Sequence, residues 1–370
     1  MTARRLGIVI NPIAGMGGRV GLHGTDGDEI AKARARGAKP VTCLRAARAM
    51  SRLRDRAGSP RFDVLTAGGE MGAAVLDELD IPHEVVHHPA GDTTPADTRK
   101  AVAALAEHSV DLLMLVGGDG TLRDAAASLG AHSIATLGVP SGVKMHSSAF
   151  ATSPEAAADV AARYLADPDL IGLRTAEVVD CADGATQLFA TLQVPAVEGS
   201  LQAAKSVARR RDDTAELVGL ASDIAGGMER GRLYLLGPGT TVGLVSAALG
   251  IAHTTLGVDA VVDRALIGAD LGESELIDLL REQRHSTLIL GVVGGQGYLL
   301  GRGNQQLTPA VLAALGHDNV VVLAARGKIA TLAPPVLRVD VGDSSAEQPL
   351  SGYQRVHVAR GHSTVLRIVS

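Results

Sequence analysis

Asp119 is the residue whose setting most directly implies chemistry. It stands inside Gly117-Gly118-Asp119-Gly120-Thr121, directly after the apolar run Leu112–Val116. Such a run suits a strand buried on both faces in the middle of a parallel sheet. Glycines at 117, 118 and 120 leave the turn without side chains, so a ligand can approach the backbone closely. The next residues read as a helix start, whose free N–H groups and positive dipole end favour phosphate. A carboxylate fixed there would repel phosphate unless it has chemistry to do.

Other groups could serve the same chemistry. Asn11-Pro12 with Gly15, Gly17 and Gly18 forms a glycine-rich loop directly after the strand-like Leu6–Ile10. Backbone N–H groups in such a loop can surround phosphate. The loop lacks the Gly-Lys-Ser/Thr ending of a P-loop, and Val20 replaces the third glycine of a dinucleotide fingerprint. A plain strand-to-loop connection fits it equally well. Pro140-Ser141-Gly142-Val143-Lys144 closes a third strand in the same way. Lys144 and Arg123 are candidates to balance phosphate charge, although Arg123 and Asp124 equally read as decoration of the first helical turn.

In the second half, Gly239, Thr240 and Thr241 repeat the pattern of strand, glycine turn and hydroxyls. The two threonines could instead cap the following helix. Asp259 stands alone among apolar residues and reads equally as a ligand group or a buried structural acid. The glycine-dense segment holding Gly295, Gln296, Asn304 and Gln305 favours ligand contact over a surface loop. His87-His88 is not read as a metal pair, because neighbours on a strand point to opposite faces. Cys43 and Cys181 are too few for a disulfide framework or a cysteine-based zinc site. No metal-ligating set is assigned.

These groups need elements to hold them. Strands are predicted at Leu6–Ile10, Phe62–Ala67, Glu84–His88, Asp111–Val116 and Ile134–Val139. Helices are predicted at Ala31–Arg36, Leu44–Arg56, from Pro95 to about His108, and from Pro154 to near Ala166. The basic residues of the first two helices read as a solvated face. Alternation of strands and helices points to a parallel α/β sheet, with ligands at the carboxyl ends of its strands. Asp167-Pro168-Asp169 reads as a domain boundary, giving 1–168 as an α/β domain and 169–370 as a β-rich one whose tail could return to the first. The β-rich half is read from strands at Thr175–Asp180, Thr186–Val194, Leu233–Leu236, Leu288–Val293, Val320–Ala324, Leu337–Val341 and Val365–Val369. Helices are expected up to Gly250, over Glu275–Arg284 capped by Ser274, and from Pro309 to Gly316.

Composition narrows the field. With 370 residues and 46% hydrophobic content the chain can build two real cores, but aromatics are only 2%. Stacking platforms for single-stranded nucleic acid are therefore not expected. A net charge of −5 argues against nucleic acid or an anionic membrane as partner. No secretory signal and no apolar run of spanning length is read, so a cytoplasmic protein is expected.

Gly117-Gly118-Asp119-Gly120-Thr121 resembles the signature of the NAD kinases and the diacylglycerol and sphingosine kinases, and more loosely that of the 6-phosphofructokinases. Asn11-Pro12 with Gly15 resembles the opening motif of the same superfamily. Gly138–Lys144, Leu236–Thr241, Leu256–Asp259, Gly294–Gly297, Gly301–Gln306 and Leu337–Asp340 resemble one branch, the ATP-NAD kinase/AcoX-like family. The likeness runs from about Gly7 to Tyr353. It implies an NAD kinase-like α/β domain followed by a β-rich domain, with the site between them. It also implies ATP as phosphate donor, Mg²⁺, NAD as acceptor at its ribose 2′-hydroxyl, NADP as product, and a homo-oligomer. Asp119 would then be the catalytic carboxylate. The chain departs from the better-studied NAD kinases in lacking their central Asn-Glu pair; Glu177–Asp183 offers acids only. That leaves open a kinase acting on another small hydroxyl acceptor, or a non-catalytic nucleotide-binding regulator.

Overall fold

The structure is a computed structural model that describes residues 3–22, 29–57, 62–130, 134–142, 145–182, 185–197, 200–201, 211–283, 285–293, 297–342, 347 and 350–369. The chain forms two compact units. One is built from residues up to 16 and from 39 to 201. The other is built from 211 onward, together with 17–22 and 31–38.

The first unit contains β1 (Arg4–Ile10), the start of α1 (Glu29–Ala35), α2 (Thr42–Ala57), β2 (Phe62–Ala67), α3 (Ala73–Glu78), β3 (Glu84–His87) and α4 (Pro95–Glu107). It continues through β4 (Leu112–Gly117), α5 (Asp119–Leu129), β5 (Ala135–Pro140), α6 (Pro154–Ala166), α7 (Pro168–Ile171), β6 (Leu173–Ala182) and β7 (Ala185–Pro195). The first five strands form one parallel sheet in the order β3-β2-β1-β4-β5. Strand side chains alternate between faces. Leu112, Met114 and Val116 therefore join the layer holding Met50, Leu53 and Val160, while Leu113 and Leu115 join Leu105, Leu122 and Phe150. Fully burying one such side chain is worth about 1.5–3 kcal/mol.

Helix starts are written locally. Thr94 and Asp97 form a capping box on α4, with Thr94 N–H donating to Asp97 Oδ2 at 3.0 Å. Ser153 Oγ accepts Ala156 N–H at 3.1 Å at the start of α6. Arg52, Arg54 and Arg56 lie on the solvated face expected for α2, and most of its arginines also find acidic partners. Arg48 pairs with Glu155 at 2.7 Å, and Arg52 and Arg56 both pair with Asp159 on α6, at 3.1 and 3.0 Å. Two helices on the same face of the sheet bring these opposite charges together.

The boundary expected after Pro168 falls inside this unit. The β6–β7 hairpin lies beyond it, yet Ala176, Val178, Leu192 and Val194 are buried in the same core as Val9 and Leu115.

The second unit contains α8 (Arg211–Gly226), β8 (Leu233–Leu236), α9 (Gly243–Leu249), β9 (Asp259–Val262), β10 (Ala265–Gly268), α10 (Glu273–Glu282), β11 (Ser286–Gly291) and β12 (Tyr298–Leu300). It ends with α11 (Pro309–Leu315), β13 (Val320–Leu323), α12 (Arg326–Ala330), β14 (Val336–Val339), β15 (Gly352–Ala359) and β16 (His362–Val369). Its mixed sheet runs β10-β9-β8-β11-β13-β15-β16-β14-β12. Leu288 and Leu290 face one core and Ile289 the other, so this sheet too is covered on both sides. The tail stays here: β15 pairs with β13 and β16 with β14, rather than returning to the first unit. The N-cap of α10 is Gly272, two residues before the expected Ser274, because Glu275 Oε2 reaches back to accept Gly272 N–H at 2.8 Å.

Candidate functional site

In the first sheet, chain order reverses between β1 and β4, the topological switch point at which open α/β sheets place ligands. The loops after β1, β4 and β5 all leave from that end and are braced to one another. Asn11 N–H donates to Val116 O at 2.9 Å, and Asn11 Nδ2 donates to Thr121 Oγ1 at 3.0 Å. Ser141 and Gly142 N–H both donate to Gly117 O, at 3.0 and 3.2 Å. Thr42 Oγ1 donates to Ala14 O at 2.6 Å, and Arg45 Nε donates to Pro140 O. Pro12 is buried beneath the first loop.

Asp119 is the first residue of α5, after the extended Gly118, where the helix dipole favours negative charge. Its side chain is only 2% exposed. Burying an ionised carboxylate requires donors, and they come from the segment between β5 and α6. His146 N–H donates to Oδ2 at 2.7 Å, and Ser147 N–H donates to Oδ1 at 3.0 Å. Ser147 Oγ also lies 2.6 Å from Oδ1. These donors fill three of about four lone-pair directions, leaving one on Oδ2. The His146 imidazole lies beside that oxygen, with Nδ1 at 3.5 Å. Neither His146 nor Ser147 was marked as a site residue by sequence. The one available sign was a histidine and a serine following Lys144 at the end of the third loop.

The glycines divide by what they accommodate. A Cβ on Gly117 would lie 2.3 Å from Thr121 Oγ1, one on Gly15 would lie 1.9 Å from Ser141 O, and one on Gly18 would lie 2.9 Å from Gln305 Cβ. Packing within the chain already requires these three glycines. A Cβ on Gly120 would meet nothing nearer than Arg123 Nη2 at 3.8 Å, and one on Gly239 would meet nothing within 4 Å. Gly120 and Gly239 therefore expose backbone to open space. Gly17 and Gly18 belong to the second unit, whereas Asn11, Pro12 and Gly15 belong to the first.

Arg123 and Asp124, the fifth and sixth residues of α5, both have partners within the chain. Arg123 Nη1 donates to Asp180 Oδ2 at 2.7 Å and stacks over Phe189 at 5.7 Å. Asp124 Oδ1 accepts from Arg99 Nη1 at 2.9 Å. Lys144, Gly295 and Gln296 lie outside the described residues.

In the second unit, Gly237–Thr241 and the segment leading into β9 meet around Asp259, which is fully buried. Asp259 Oδ2 accepts Thr254 N–H at 2.7 Å and lies 3.2 Å from His253 Nδ1, while Oδ1 accepts Asp270 N–H at 3.1 Å. Burial pushes this carboxyl up, but its partners, His253 first, outweigh burial and hold it below the usual carboxylate range. His253 Nε2 lies 3.2 Å from Gly239 O, and Ser246 Oγ lies 3.3 Å from Nδ1. Serine and aspartate thus share one ring nitrogen, which is no nucleophile-activating relay; the cluster braces the Gly239 turn. Thr240 is exposed and Thr241 buried. Neither side chain caps α9, whose N-cap is Val242. Asn304 is also buried in support of its own loop: Oδ1 accepts Gly301 N–H at 2.8 Å, and Nδ2 donates to Leu299 O at 2.9 Å. Gln305 packs on Gly18.

Among the described residues, no three metal-ligating side chains converge.

The ATP-NAD kinase N-terminal domain model matches residues 6–169, and the ATP-NAD kinase C-terminal domain model matches residues 230–368. No curated protein and no solved structure gives a significant match. Both halves of one family are matched in order over most of the chain, on an α/β unit followed by a β-rich one: this chain belongs to the ATP-NAD kinase family.

Proposed function

We propose that this protein transfers the γ-phosphoryl group of ATP to the adenosine-ribose 2′-hydroxyl of NAD, giving NADP. The observation that carries this reading is the setting of Asp119. It is a buried carboxylate at the switch point of a parallel sheet, clamped by three donors with one lone-pair direction left on Oδ2. That is the provision a base needs to accept one hydroxyl hydrogen bond in a fixed direction. The acceptor oxygen bonds to the γ-phosphorus as the bond from phosphorus to the β–γ bridging oxygen breaks. ADP leaves, and the hydroxyl proton passes to Asp119. Mg²⁺ carried on the phosphates supplies charge neutralisation.

The open backbone at Gly120 and Gly239 supports close approach of the nucleotides, and the braced loop of Asn11, Pro12 and Gly15 supports their positioning. Ser141, Gly142, Lys144, Thr240, Thr241, Gly295, Gln296 and Gln305 complete the proposed binding set. A cytoplasmic homo-oligomer accompanies this reading, and size-exclusion chromatography with light scattering tests the assembly.

A second acceptor stays in play for one reason. Asp180, in the stretch where an Asn-Glu pair is missing, is engaged by Arg123. The deciding experiment incubates the full chain with ATP, Mg²⁺ and NAD and measures NADP, with Asp119→Asn as control. Turnover should fall about 10²–10⁴-fold in the variant. ATP consumption with another hydroxyl compound but not NAD would replace the acceptor. Nucleotide binding without turnover on any acceptor would make the protein a regulator.

A further inference from the structure

We infer that the His146 imidazole is a positioning residue for Asp119 that conducts the acceptor's proton from Oδ2 to solvent. The inference rests on the reading of Asp119 as base, and adds a residue and a proton route to it.

The geometry is specific to one carboxylate oxygen. Oδ1 is occupied twice by Ser147, through its N–H and its hydroxyl, and Ser147 is itself fully buried. Ser147 cannot drift, because its Oγ also accepts Val179 N–H at 3.1 Å and lies 3.1 Å from Val179 O. Those two groups face away from β7, as do the Glu177 N–H and carbonyl two residues earlier, which bond Ser148 Oγ at 2.9 Å and Ser148 N–H at 3.1 Å. The outcome is that Oδ1 is closed and any proton must arrive on, and leave from, Oδ2.

His146 is the group at that oxygen. Its N–H fixes Oδ2 at 2.7 Å, and its Nδ1, at 3.5 Å, is within ion-pair range but longer than a formed hydrogen bond. The ring is 23% exposed, whereas the carboxylate is 2% exposed. One side chain thus lies against a closed carboxylate and is itself partly exposed. A proton taken from the acceptor hydroxyl by Oδ2 passes to Nδ1, and the ring releases a proton from Nε2 to solvent. The carboxylate is restored for the next cycle, and the two ring nitrogens let an imidazole take a proton at one and release it at the other. The backbone N–H that clamps Oδ2 belongs to the same residue but survives any side-chain change, so substitution isolates the ring.

The test uses the full chain in the NADP-forming assay with wild type, His146→Ala, His146→Gln and Asp119→Asn. His146→Ala should lower kcat about tenfold to a hundredfold while KM for NAD and ATP stays within about threefold. Added imidazole should restore part of kcat in His146→Ala and none in Asp119→Asn. Independently of turnover, the ¹⁵N resonance of His146 Nδ1 should change between wild type and Asp119→Asn. An Nδ1 resonance indifferent to Asp119, or a His146→Ala kcat close to wild type, would overturn the proposal. So would a loss confined to KM, or one that imidazole does not rescue. A wild type that makes no NADP would instead refute the proposed acceptor, and the Nδ1 resonance would still decide the pairing.

Discussion

Ser147 Oγ lies 2.6 Å from Asp119 Oδ1 and accepts Val179 N–H from β6, so one hydroxyl links the catalytic candidate to the hairpin. Ser147→Ala removes a donor from a buried carboxylate, a loss of about 1.5–3 kcal/mol for a hydrogen bond to a charged group. Urea unfolding should report that loss, and kcat should fall with it, because Oδ1 is no longer held. A variant as stable as wild type would mean that the hydroxyl supports nothing.

Gly117 and Gly120 separate packing from ligand access. Gly117→Ala places Cβ 2.6 Å from Thr121 Cβ, so Thr121 must move and its bond from Asn11 is strained; the expected cost is about 1–3 kcal/mol. Gly120→Ala lies in α5 with open space around the new methyl, where alanine is favoured over glycine by about 0.8–1 kcal/mol. Thermal unfolding should therefore move in opposite directions for the two variants. If Gly120→Ala is stabilised yet loses turnover, the space above Gly120 belongs to a substrate.

Much of this arrangement was legible in the sequence. Five apolar residues followed by Gly117-Gly118-Asp119 marked β4 and its turn, because a strand buried on both faces has no alternation to blur it. Phe62–Ala67 matched to the residue, and the helix starting at Pro154 began as its cap foretold, where breakers or caps bound the element. Helix α8 was not read, since Gly219 and Gly226 dilute a pattern whose buried positions are Leu217, Leu220, Ala221 and Ala225. The partners of Asp119 were hidden for a different reason. His146 and Ser147 lie 27 and 28 residues away along the chain, outside any helix or strand, and only the sheet brings them back. Sequence spacing carries periodic faces well and loop-to-loop contacts poorly.

Asp259 gives a pH signature. Its folded carboxyl is held below its unfolded range, so its contribution is fully present above about pH 4, the ordinary range of an aspartate, and is lost as pH falls through the folded value. Asp259→Asn should destabilise by about 1–3 kcal/mol at neutral pH. The stability gap between the two proteins, measured by urea unfolding, should narrow as the pH drops below about 4. Asp97 and Asp159 are also held low and give wild type and variant a common acid slope, so the difference isolates Asp259. A gap that is constant from neutral to acid pH would contradict this assignment.

Arg123 poses the last question, since a cation two residues past Gly-Asp-Gly-Thr could serve phosphate or the hairpin. Its side chain is 40% exposed, with the guanidinium 2.7 Å from Asp180 and stacked on Phe189, which directs it to β6 and β7. A double-mutant cycle of Arg123→Ala and Asp180→Ala should give a coupling of about 0.3–1 kcal/mol, the range of a partly solvated pair. If bracing the hairpin is its whole role, KM for ATP in Arg123→Ala stays within about threefold of wild type, as it does in Asp180→Ala. A rise of about tenfold in Arg123→Ala alone would assign the guanidinium to phosphate, at about 1.4 kcal/mol. The two roles differ in what Asp180→Ala does. Removing the aspartate weakens a brace but frees a phosphate ligand, so only the second role permits KM for ATP to fall.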